Sequence, residues 1–412
     1  MPTSDPDSPV TPAQFPRLLI MTCYPPDEQH GGGRLMRRLT QVLPMDRICW
    51  FSSRPLKTGR MPAGFEAVPF HHAEFRIPRP DRWGLSRWRQ RVNIAHCSRY
   101  QAWVAARWAK QNQVEAVWGV MQEQMMFSAP LVARQLSVPL HLSVHDDPSY
   151  LNQGLGPQGI AWLEPNFLRR YAVADSRDVI SDAMRRRYLK QTGADATVIT
   201  DGVDLSPTLF EESVPKPMQG RLKIHSSGMI YDDRLLRDLM LALEHLYQQG
   251  KSPLVEWVLS GAESCKPLGI PWSDNIRWAG WIPDNLVRER LQQADFLYLQ
   301  QPFSSEMRVF SETSFPTKLP YYLSARRPVL LHVPKYGTVA EFAQLHRLPF
   351  VLHEKDGEVA AQKFVRDLDQ IGADSNWDRS YNSALRAFDL DVIRRQFRGL
   401  LQDLSKLRSV GS

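Results

Sequence analysis

The sequence predicts two successive α/β domains, each built around a parallel sheet. Short apolar runs alternate with longer segments of helical periodicity, and this order is typical of βαβ units. A chain of 412 residues is longer than one hydrophobic core usually supports, so we expect two domains of roughly 200 residues each. Hydrophobic residues (43%) and charged residues (23%) have the proportions of a globular protein, which excludes a disordered chain.

The first domain is expected over residues 17–205, after a disordered tail (1–16) rich in Pro, Ser, Thr and Asp. Leu35, Leu39 and Val42 recur at helical spacing and predict the first helix. The predicted elements are, in order, strand RLLIMTC, loop YPPDEQHGGG, helix RLMRRLTQVL, strand RICWF, helix AWVAARWAKQ, strand VEAVWGV, helix APLVARQL, strand PLHLSVHDD, strand AVADSRDVI, helix SDAMRRRYLKQ and strand ATVITDGVD.

A Pro-, Ser- and Glu-rich linker is predicted at 206–220, and the second domain at 221–390. Its predicted elements are strand RLKIHSSG, helix RLLRDLMLALEHLYQQG, strand LVEWVLSG, strand NIRWAGW, a helix through LQQADF, strand FLYLQQ, helix KLPYYLSA and strand RPVLLHV. Residues 391–412 are predicted as an amphipathic helix and tail that pack back on the first domain.

The net charge of +7 favours an anionic partner, which charge alone leaves open between a nucleotide diphosphate, acidic lipid headgroups and nucleic acid. The four cysteines lack metal-ligand spacing, and we expect free thiols in a reducing compartment: Cys23, Cys49, Cys97 and Cys265. No signal peptide and no span of roughly 20 apolar residues is recognised, so the expected location is the cytoplasm, with peripheral contact at the inner membrane face.

Five segments, in this order and spacing, resemble the retaining GT-B glycosyltransferases of family 4, also called glycosyl transferases group 1. The segments are the triple glycine 31–33, the stretch VEAVWGV to PLHLSVHDD, VADSRDVISDAM with DGVD, NIRWAGWIPDNLVRERLQQADFLYL, and SFPTKLPYYLSARRPVL. The resemblance covers most of residues 17–400. It implies two Rossmann-like domains that face each other across a cleft.

The resemblance also implies the chemistry. A hexose would move from a UDP- or GDP-sugar to a glycan, a lipid-linked or another hydroxyl acceptor. Retention of configuration, with the leaving phosphate accepting the acceptor's proton, needs no strong general base, and neither metal nor another cofactor is expected. The adjacent acids Asp146-Asp147 and Asp232-Asp233 are interpreted as loop carboxylates rather than metal ligands.

In the first domain, three features match donor or acceptor contacts of the family. Gly31, Gly32 and Gly33 are expected before a helix, where backbone N–H groups approach an anion closely. His145 ends an apolar strand at the carboxyl edge where open α/β sheets bind ligands, and it aligns with the family histidine that touches the donor sugar. Asp146 follows it and joins it among the catalytic candidates.

In the second domain, cations are predicted to face the diphosphate. Arg234 follows Gly228 by six residues and resembles the family's phosphate-binding lysine. Lys318 begins the KLPYYL helix, where its charge and the helix dipole would both meet the leaving group. Further donor contacts are expected from Gly228, Ile282, Ser314, Phe315, Thr317 and Tyr321.

The sequence departs from the family at three positions, one of which is Thr313, where the family has the earlier of two glutamates separated by seven residues. Met229 stands where many members carry arginine, and Tyr321 where the ribose-contacting glutamate is found. Glu312 is the expected acid near the sugar, through a shifted loop, with a different contact or loss of activity as the alternatives. A phenol hydrogen bond to ribose and simple helix packing are equally open for Tyr321.

The most unusual stretch is basic and tryptophan-rich, over residues 76–110, with nine cations and one acid. We expect it to meet an anionic lipid surface or an anionic acceptor, with a solvated helix face and single-stranded nucleic acid as alternatives. The residues singled out for this role are Arg82, Trp83, Arg87, Trp88, Arg89 and Arg91.

Two rival functions stay open at this point. One is a catalytically degenerate GT-B protein that binds a nucleotide or a glycan, which the departures at Met229 and Tyr321 motivate. The other is a sugar-nucleotide epimerase, which would convert the donor without an acceptor.

Overall fold

The chain forms two compact α/β units. The computed structural model describes residues 15–26, 31–56, 59–74, 86–217, 220–371 and 377–408. One unit comprises Met1–Ile199 with Arg394–Ser412, and the second comprises Thr200–Ile393. Nearly all of the predicted tail lies outside the described residues, and so do Arg82 and Trp83 of the basic segment.

The first unit contains a seven-stranded sheet in which every strand pair is parallel, in the order β3-β2-β1-β4-β5-β6-β7. β1, β2, β4 and β5 are buried at every residue because helices cover both faces of a parallel sheet. The strands are β1 (Leu18–Thr22), β2 (Ile48–Ser52), β3 (Phe70–His72), β4 (Ala116–Val120), β5 (Leu140–Val144), β6 (Ser176–Val179) and β7 (Thr197–Val198).

The helix Asp182–Thr192 shows the local signals that begin and end a helix. The Ser181 hydroxyl accepts a hydrogen bond from the Met184 amide at 3.0 Å, and Gly193 ends the helix at φ +71°. The helices of the first unit are α1 (Gly31–Thr40), α2 (Ser86–Val92), α3 (Ser98–Gln111), α4 (Met125–Leu136), α5 (Pro148–Leu151), α6 (Gly156–Ala172) and α7 (Asp182–Thr192).

The second unit contains a six-stranded parallel sheet in the order β10-β9-β8-β11-β12-β13. Successive residues of one strand enter different apolar clusters, as with Phe296 and Leu297, because a strand buried on both sides supplies a core on each face. The strands are β8 (Arg221–Ser227), β9 (Leu254–Ser260), β10 (Ile276–Trp278), β11 (Phe296–Gln300), β12 (Val329–His332) and β13 (Val351–Leu352).

Helices cover both faces of this sheet. The helices are α8 (Pro207–Glu211), α9 (Asp233–Gln248), α10 (Asp284–Gln292), α11 (Arg308–Thr313), α12 (Leu319–Ser324), α13 (Thr338–His346), α14 (Gly357–Asp369) and α15 (Asp378–Arg386). The segment 206–220, predicted as a linker, contains α8. Within the parts of the chain that the structure covers, no helix is long and apolar enough to cross a membrane.

The last helix, α16 (Leu390–Arg408), returns to the first unit as predicted. The Phe397 ring lies 4.6 Å from the ring of Trp118 in β4. Arg394 Nε donates to the carbonyl oxygen of Arg38 at 3.1 Å. This helix therefore closes the core of a unit whose other elements are all early in the sequence.

One predicted boundary is wrong. The triple glycine was expected in a loop before the first helix, but α1 begins at Gly31, so the three glycines form its first turn. The apolar positions Leu35 and Leu39 mark the buried stripe and leave the start of the helix undefined, because the first turn needs no apolar residue.

The cysteine thiols are free, as predicted: Cys23, Cys49 and Cys97 are buried and Cys265 is partly exposed. Burial raises the pKa of Cys23 and of Cys49 to about 12. We expect a disulfide-exchange reagent to label one thiol quickly in the native protein and all four after unfolding, because thiolate fraction and access control the rate. A Cys265→Ser variant should lose the fast phase; fast labelling of a second thiol would contradict the burial of the other three.

Candidate functional site

In the second unit, the loops that follow β8, β9 and β10 meet through their backbones. Gly228 N–H donates to the Ser260 carbonyl at 2.7 Å, and Gly261 N–H donates to the Gly280 carbonyl at 2.9 Å. All three glycines have positive φ (+83°, +153° and +72° for Gly228, Gly261 and Gly280). A side-chain carbon on Gly261 would lie 3.3 Å from Gly228 Cα, whereas one on Gly228 would meet no atom within 4 Å. At the carboxyl edge of this sheet, a ligand could therefore approach the backbone of Gly228 closely.

Lys318 lies at this edge. Its ammonium donates to the Met229 carbonyl at 2.9 Å, so the predicted phosphate-binding cation is next to Gly228. Burial lowers the pKa of Lys318 to about 8, and the nearby Cys265 opposes this shift only weakly. A partly desolvated ammonium beside glycine backbone with open space around it is suited to an anionic group. Arg234, in the first turn of α9, is exposed to solvent.

Gln301 and Thr338, which the sequence analysis did not single out, form hydrogen bonds to the loop that leads to Lys318. Gln301 Nε2 donates to the Ser314 carbonyl at 3.4 Å and to Thr338 Oγ1 at 3.1 Å, and Thr338 Oγ1 donates to the same carbonyl at 2.6 Å. A side-chain carbon on Gly337 would lie 2.5 Å from Gln301 Oε1, so a larger residue here would displace the Gln301 amide. The pair Gln300-Gln301 at the end of an apolar strand was the available signal.

Several residues that were predicted to contact the donor have side chains that pack in the protein interior instead. Ile282, Phe315 and Tyr321 pack against the apolar core of the second unit, and the Phe315 ring contacts Phe342 at 5.4 Å. Ser314 is buried, whereas Thr317 is partly exposed. Donor contacts from the packed residues would therefore come from their main chain.

The tyrosine next to Tyr321 has a clear role at the end of β8. Tyr322 Oη accepts from the Ser227 amide at 2.6 Å and donates to the Ser227 carbonyl at 3.3 Å. It thereby fixes the strand end that leads into Gly228. In the adjacent strand β11, both amide atoms of Gln300 are buried and have no hydrogen-bond partner among the described residues. Buried polar atoms of this kind are able to bond a ligand or a water.

Glu312 is engaged by a neighbour. It lies on α11, and its Oε1 accepts from Arg308 Nε at 2.7 Å. The Arg308 guanidinium in turn stacks over the Tyr336 ring at 4.6 Å. A role for Glu312 at the sugar would therefore involve Oε2 or require this ion pair to open.

In the first unit, His145 follows β5 at the carboxyl edge of the sheet. Its exposed fraction is 7%, and neither ring nitrogen has a hydrogen-bond partner among the residues that the structure describes. Burial lowers its pKa, and Asp178 and Asp146 oppose the shift only in part, so the imidazole is neutral near neutral pH. A buried imidazole with both nitrogens unsatisfied is costly to the fold and is ready to bond a ligand.

The two acids after His145 have different environments. Asp146 is partly buried. Asp147 is buried and caps α5: it accepts from the Ser149 amide at 2.9 Å and from Tyr188 Oη at 2.9 Å. The interpretation of Asp147 as a solvated loop carboxylate is therefore wrong, because its charge is used to begin a helix. Asp232 likewise caps α9 through the Leu235 amide at 3.1 Å.

A charged group that the sequence did not reveal lies along the same edge, after β1, β2 and β4. Arg54 Nη2 pairs with Glu123 Oε1 at 3.2 Å, and the Arg54 guanidinium stacks over the Tyr24 ring at 4.1 Å. Glu123 has φ +43° in the turn that leads into α4, and such strained backbone concentrates at functional sites.

The fold of the chain is that of known glycosyltransferase structures. No protein-family model matches the sequence, and no curated protein matches it by sequence. The UDP-forming α,α-trehalose-phosphate synthase of Burkholderia vietnamiensis is similar with a TM-score of 0.61 and 15% identity over 97% of this chain and 100% of that one. The HepE protein of Anabaena, solved with UDP-glucose, gives 0.60 and 12% over 94% and 99%.

A glycosyltransferase from Rickettsia africae gives a TM-score of 0.60 and 14% identity over 94% of this chain and 98% of that one. Matches of this breadth span both units. The predicted fold class, two Rossmann-like parallel-sheet units of the GT-B type, is confirmed. Membership of family 4 and the cleft between the units stay predictions.

Proposed function

We propose that the chain is a glycosyltransferase that moves a hexose from a nucleotide-sugar to a hydroxyl acceptor, with retention of configuration and without a metal. The observation that carries this proposal is the position of the Lys318 ammonium, 2.9 Å from the Met229 carbonyl and next to the open backbone of Gly228. The GT-B fold supports it, since members of this fold class with determined structures include UDP-forming synthases.

The leaving diphosphate is the group that most needs stabilisation. As the bond between the sugar C1 and the phosphate oxygen breaks, negative charge develops on that oxygen, and a fixed cation with backbone amides lowers the barrier. Lys318 would supply the cation, Gly228 the close backbone approach, and Arg234 a second, solvent-exposed charge. The acceptor oxygen bonds to C1, and its proton passes to the leaving phosphate oxygen.

His145 would bind the donor sugar in this proposal. Its ring is neutral and has no hydrogen-bond partner within the described part of the chain. A hydrogen bond with a sugar hydroxyl, donated or accepted by the ring, would satisfy a buried nitrogen. The charged edge formed by Arg54, Glu123 and Tyr24 would meet the acceptor. The acceptor class that we propose is a glycan or lipid-linked hydroxyl in the assembly of a cell-surface product.

The first experiment should identify the nucleotide that the protein binds. Because the HepE protein was solved with UDP-glucose, UDP is the first choice, followed by GDP, dTDP and ADP. We expect calorimetric titration in the presence of EDTA to show selective binding of one nucleotide. An Arg234→Glu, Lys318→Glu variant should lose that binding by about 100-fold or more, because an attractive charge pair becomes repulsive at each site.

A charge-matched control is available in the same unit. Arg237 is a partly exposed cation of α9, and Lys251 is an exposed cation of the loop after it. An Arg237→Glu, Lys251→Glu variant carries the same change in net charge. It should bind the nucleotide like the wild type. Equal weakening in both variants would mean that overall charge, not a site at Lys318, attracts the nucleotide.

The main alternative is a degenerate GT-B protein that binds a nucleotide or a glycan without transfer. The packing of Tyr321, which stands at the family's ribose-contacting position, favours it, and so does the ion pair of Glu312 with Arg308. Both side chains already have partners within the protein. Nucleotide binding without turnover of any hexose donor would support this alternative. Conversion of the donor without acceptor would instead indicate an epimerase.

A further inference from the structure

An unbroken run of helix over residues 86–111 has a strongly cationic outer face. It consists of α2, a π-helical turn (Asn93–Cys97) and α3, and its sequence contains no acidic residue. The exposed cations of the run are Arg87, Arg91, Arg99, Arg107 and Lys110. A single-sign face of this length favours a partner with dense negative charge.

Large aromatic side chains lie on the outside of the same run. Trp88, Tyr100 and Trp103 are 59%, 46% and 51% exposed. The buried side of α3 is instead formed by small residues: Ala102, Ala105, Ala106 and Ala109. The usual pattern of a surface helix, with bulky apolar residues inside, is thus reversed, and exposed apolar bulk on a rigid element marks an interaction surface.

The face is held in place before any partner binds. On α3 the Tyr100 and Trp103 rings lie 6.2 Å apart, and the Arg107 guanidinium stacks over the Trp103 ring at 4.9 Å. At the other end, the Arg91 guanidinium stacks over Trp162 of α6 at 4.8 Å. The interaction surface therefore needs little ordering on binding.

We propose that this cationic aromatic face docks the first unit onto an anionic lipid surface. Arginines pair with lipid phosphates, while tryptophan and tyrosine rings are suited to the headgroup region, where one side of the ring is apolar and the other is wet. Charge complementarity selects anionic over neutral lipid. This inference goes beyond the proposed function, because docking requires neither a donor nor catalysis.

The test measures partition of the full-length protein onto vesicles without nucleotide. We expect binding to phosphatidylcholine vesicles that contain about a third phosphatidylglycerol, weakening with added salt, and little binding to phosphatidylcholine alone. A Trp103→Ser, Arg107→Glu variant should partition about tenfold more weakly, because it removes one ring and reverses one charge. Both side chains are exposed, so the fold should tolerate the change, and thermal melting verifies it.

The second unit offers a control of the same chemistry. Trp272 is 40% exposed, and the Lys266 ammonium lies over its ring at 5.4 Å. A Trp272→Ser, Lys266→Glu variant should partition like the wild type. Equal loss in the two variants, or equal binding to neutral and anionic vesicles, would overturn the proposal. Absence of vesicle binding together with salt-dependent binding of oligo-dT would overturn it in favour of single-stranded nucleic acid.

Discussion

Replacing Lys318 by methionine should reduce kcat/KM for the nucleotide-sugar donor by about 10²–10³-fold, the usual loss when a group that stabilises developing negative charge is removed. Methionine keeps most of the length and apolar character of the lysine side chain and removes its charge. Because burial lowers the pKa of Lys318 to about 8, the charged form is already penalised in the folded protein. We therefore expect the variant to melt no lower than the wild type.

The same pKa gives the reaction a pH dependence. The free protein loses the Lys318 charge as pH rises through about 8, so kcat/KM should fall above that pH in the wild type and should not show this step in the methionine variant. Folding stability should change in the opposite direction. The unfolded chain keeps this proton up to about 10.5, so the wild type should gain stability relative to the variant between about pH 8 and 10.5.

Replacement of a lysine at the opposite edge of the sheet provides a control for the loss of one positive charge. Lys251 is exposed in the loop between α9 and β9, and a Lys251→Met variant should keep full activity. If the Lys318→Met protein retained at least a third of the wild-type kcat/KM, the ammonium would not stabilise the leaving group, and the proposed transfer site in the second unit would fail.

Long apolar runs made most of the fold predictable from the sequence. The continuous runs of β1, β4 and β11 are typical of strands buried on both faces, and all three were predicted. The elements that were not predicted either lack a long apolar run or contain residues that usually interrupt a helix. β13 has two residues, and α6 lies in a stretch with glycine and with Pro157 and Pro165, which usually end a helix.

The candidate site was only partly predictable, because a pattern identifies residues and not their partners. The motifs located Gly228 and His145 at carboxyl strand ends and Lys318 at the start of a helix. They could not reveal that Gln301 and Thr338, which are 37 residues apart, hold one carbonyl together. The pairing of Glu312 with Arg308, by contrast, has the spacing of a helical ion pair and was open to prediction from the sequence.

Two buried histidines of the first unit have different roles. They are four residues apart, one in β5 and one directly after it. His141 is buried and fully bonded: its Nε2 lies 2.7 Å from Asp178 Oδ2 and its Nδ1 lies 2.7 Å from Ser176 Oγ. Ser143 Oγ bonds the same Asp178 oxygen and in turn accepts from Trp118 Nε1 at 2.8 Å. His145 is also buried but bonds nothing through its ring in the described protein. One ring therefore supports the fold, and the other is available for a ligand.

Substitution by leucine should consequently have opposite effects at the two positions. His141→Leu should lower the free energy of unfolding by about 3–5 kcal/mol, because it leaves the buried Asp178 carboxylate without its imidazole. His145→Leu should leave that free energy unchanged or raise it, since no hydrogen bond is lost, while turnover falls by about 10²-fold. Urea denaturation and donor turnover measure the two effects separately. If His145→Leu were as destabilising as His141→Leu, His145 would be a structural residue, and its proposed contact with the donor sugar would have to be abandoned.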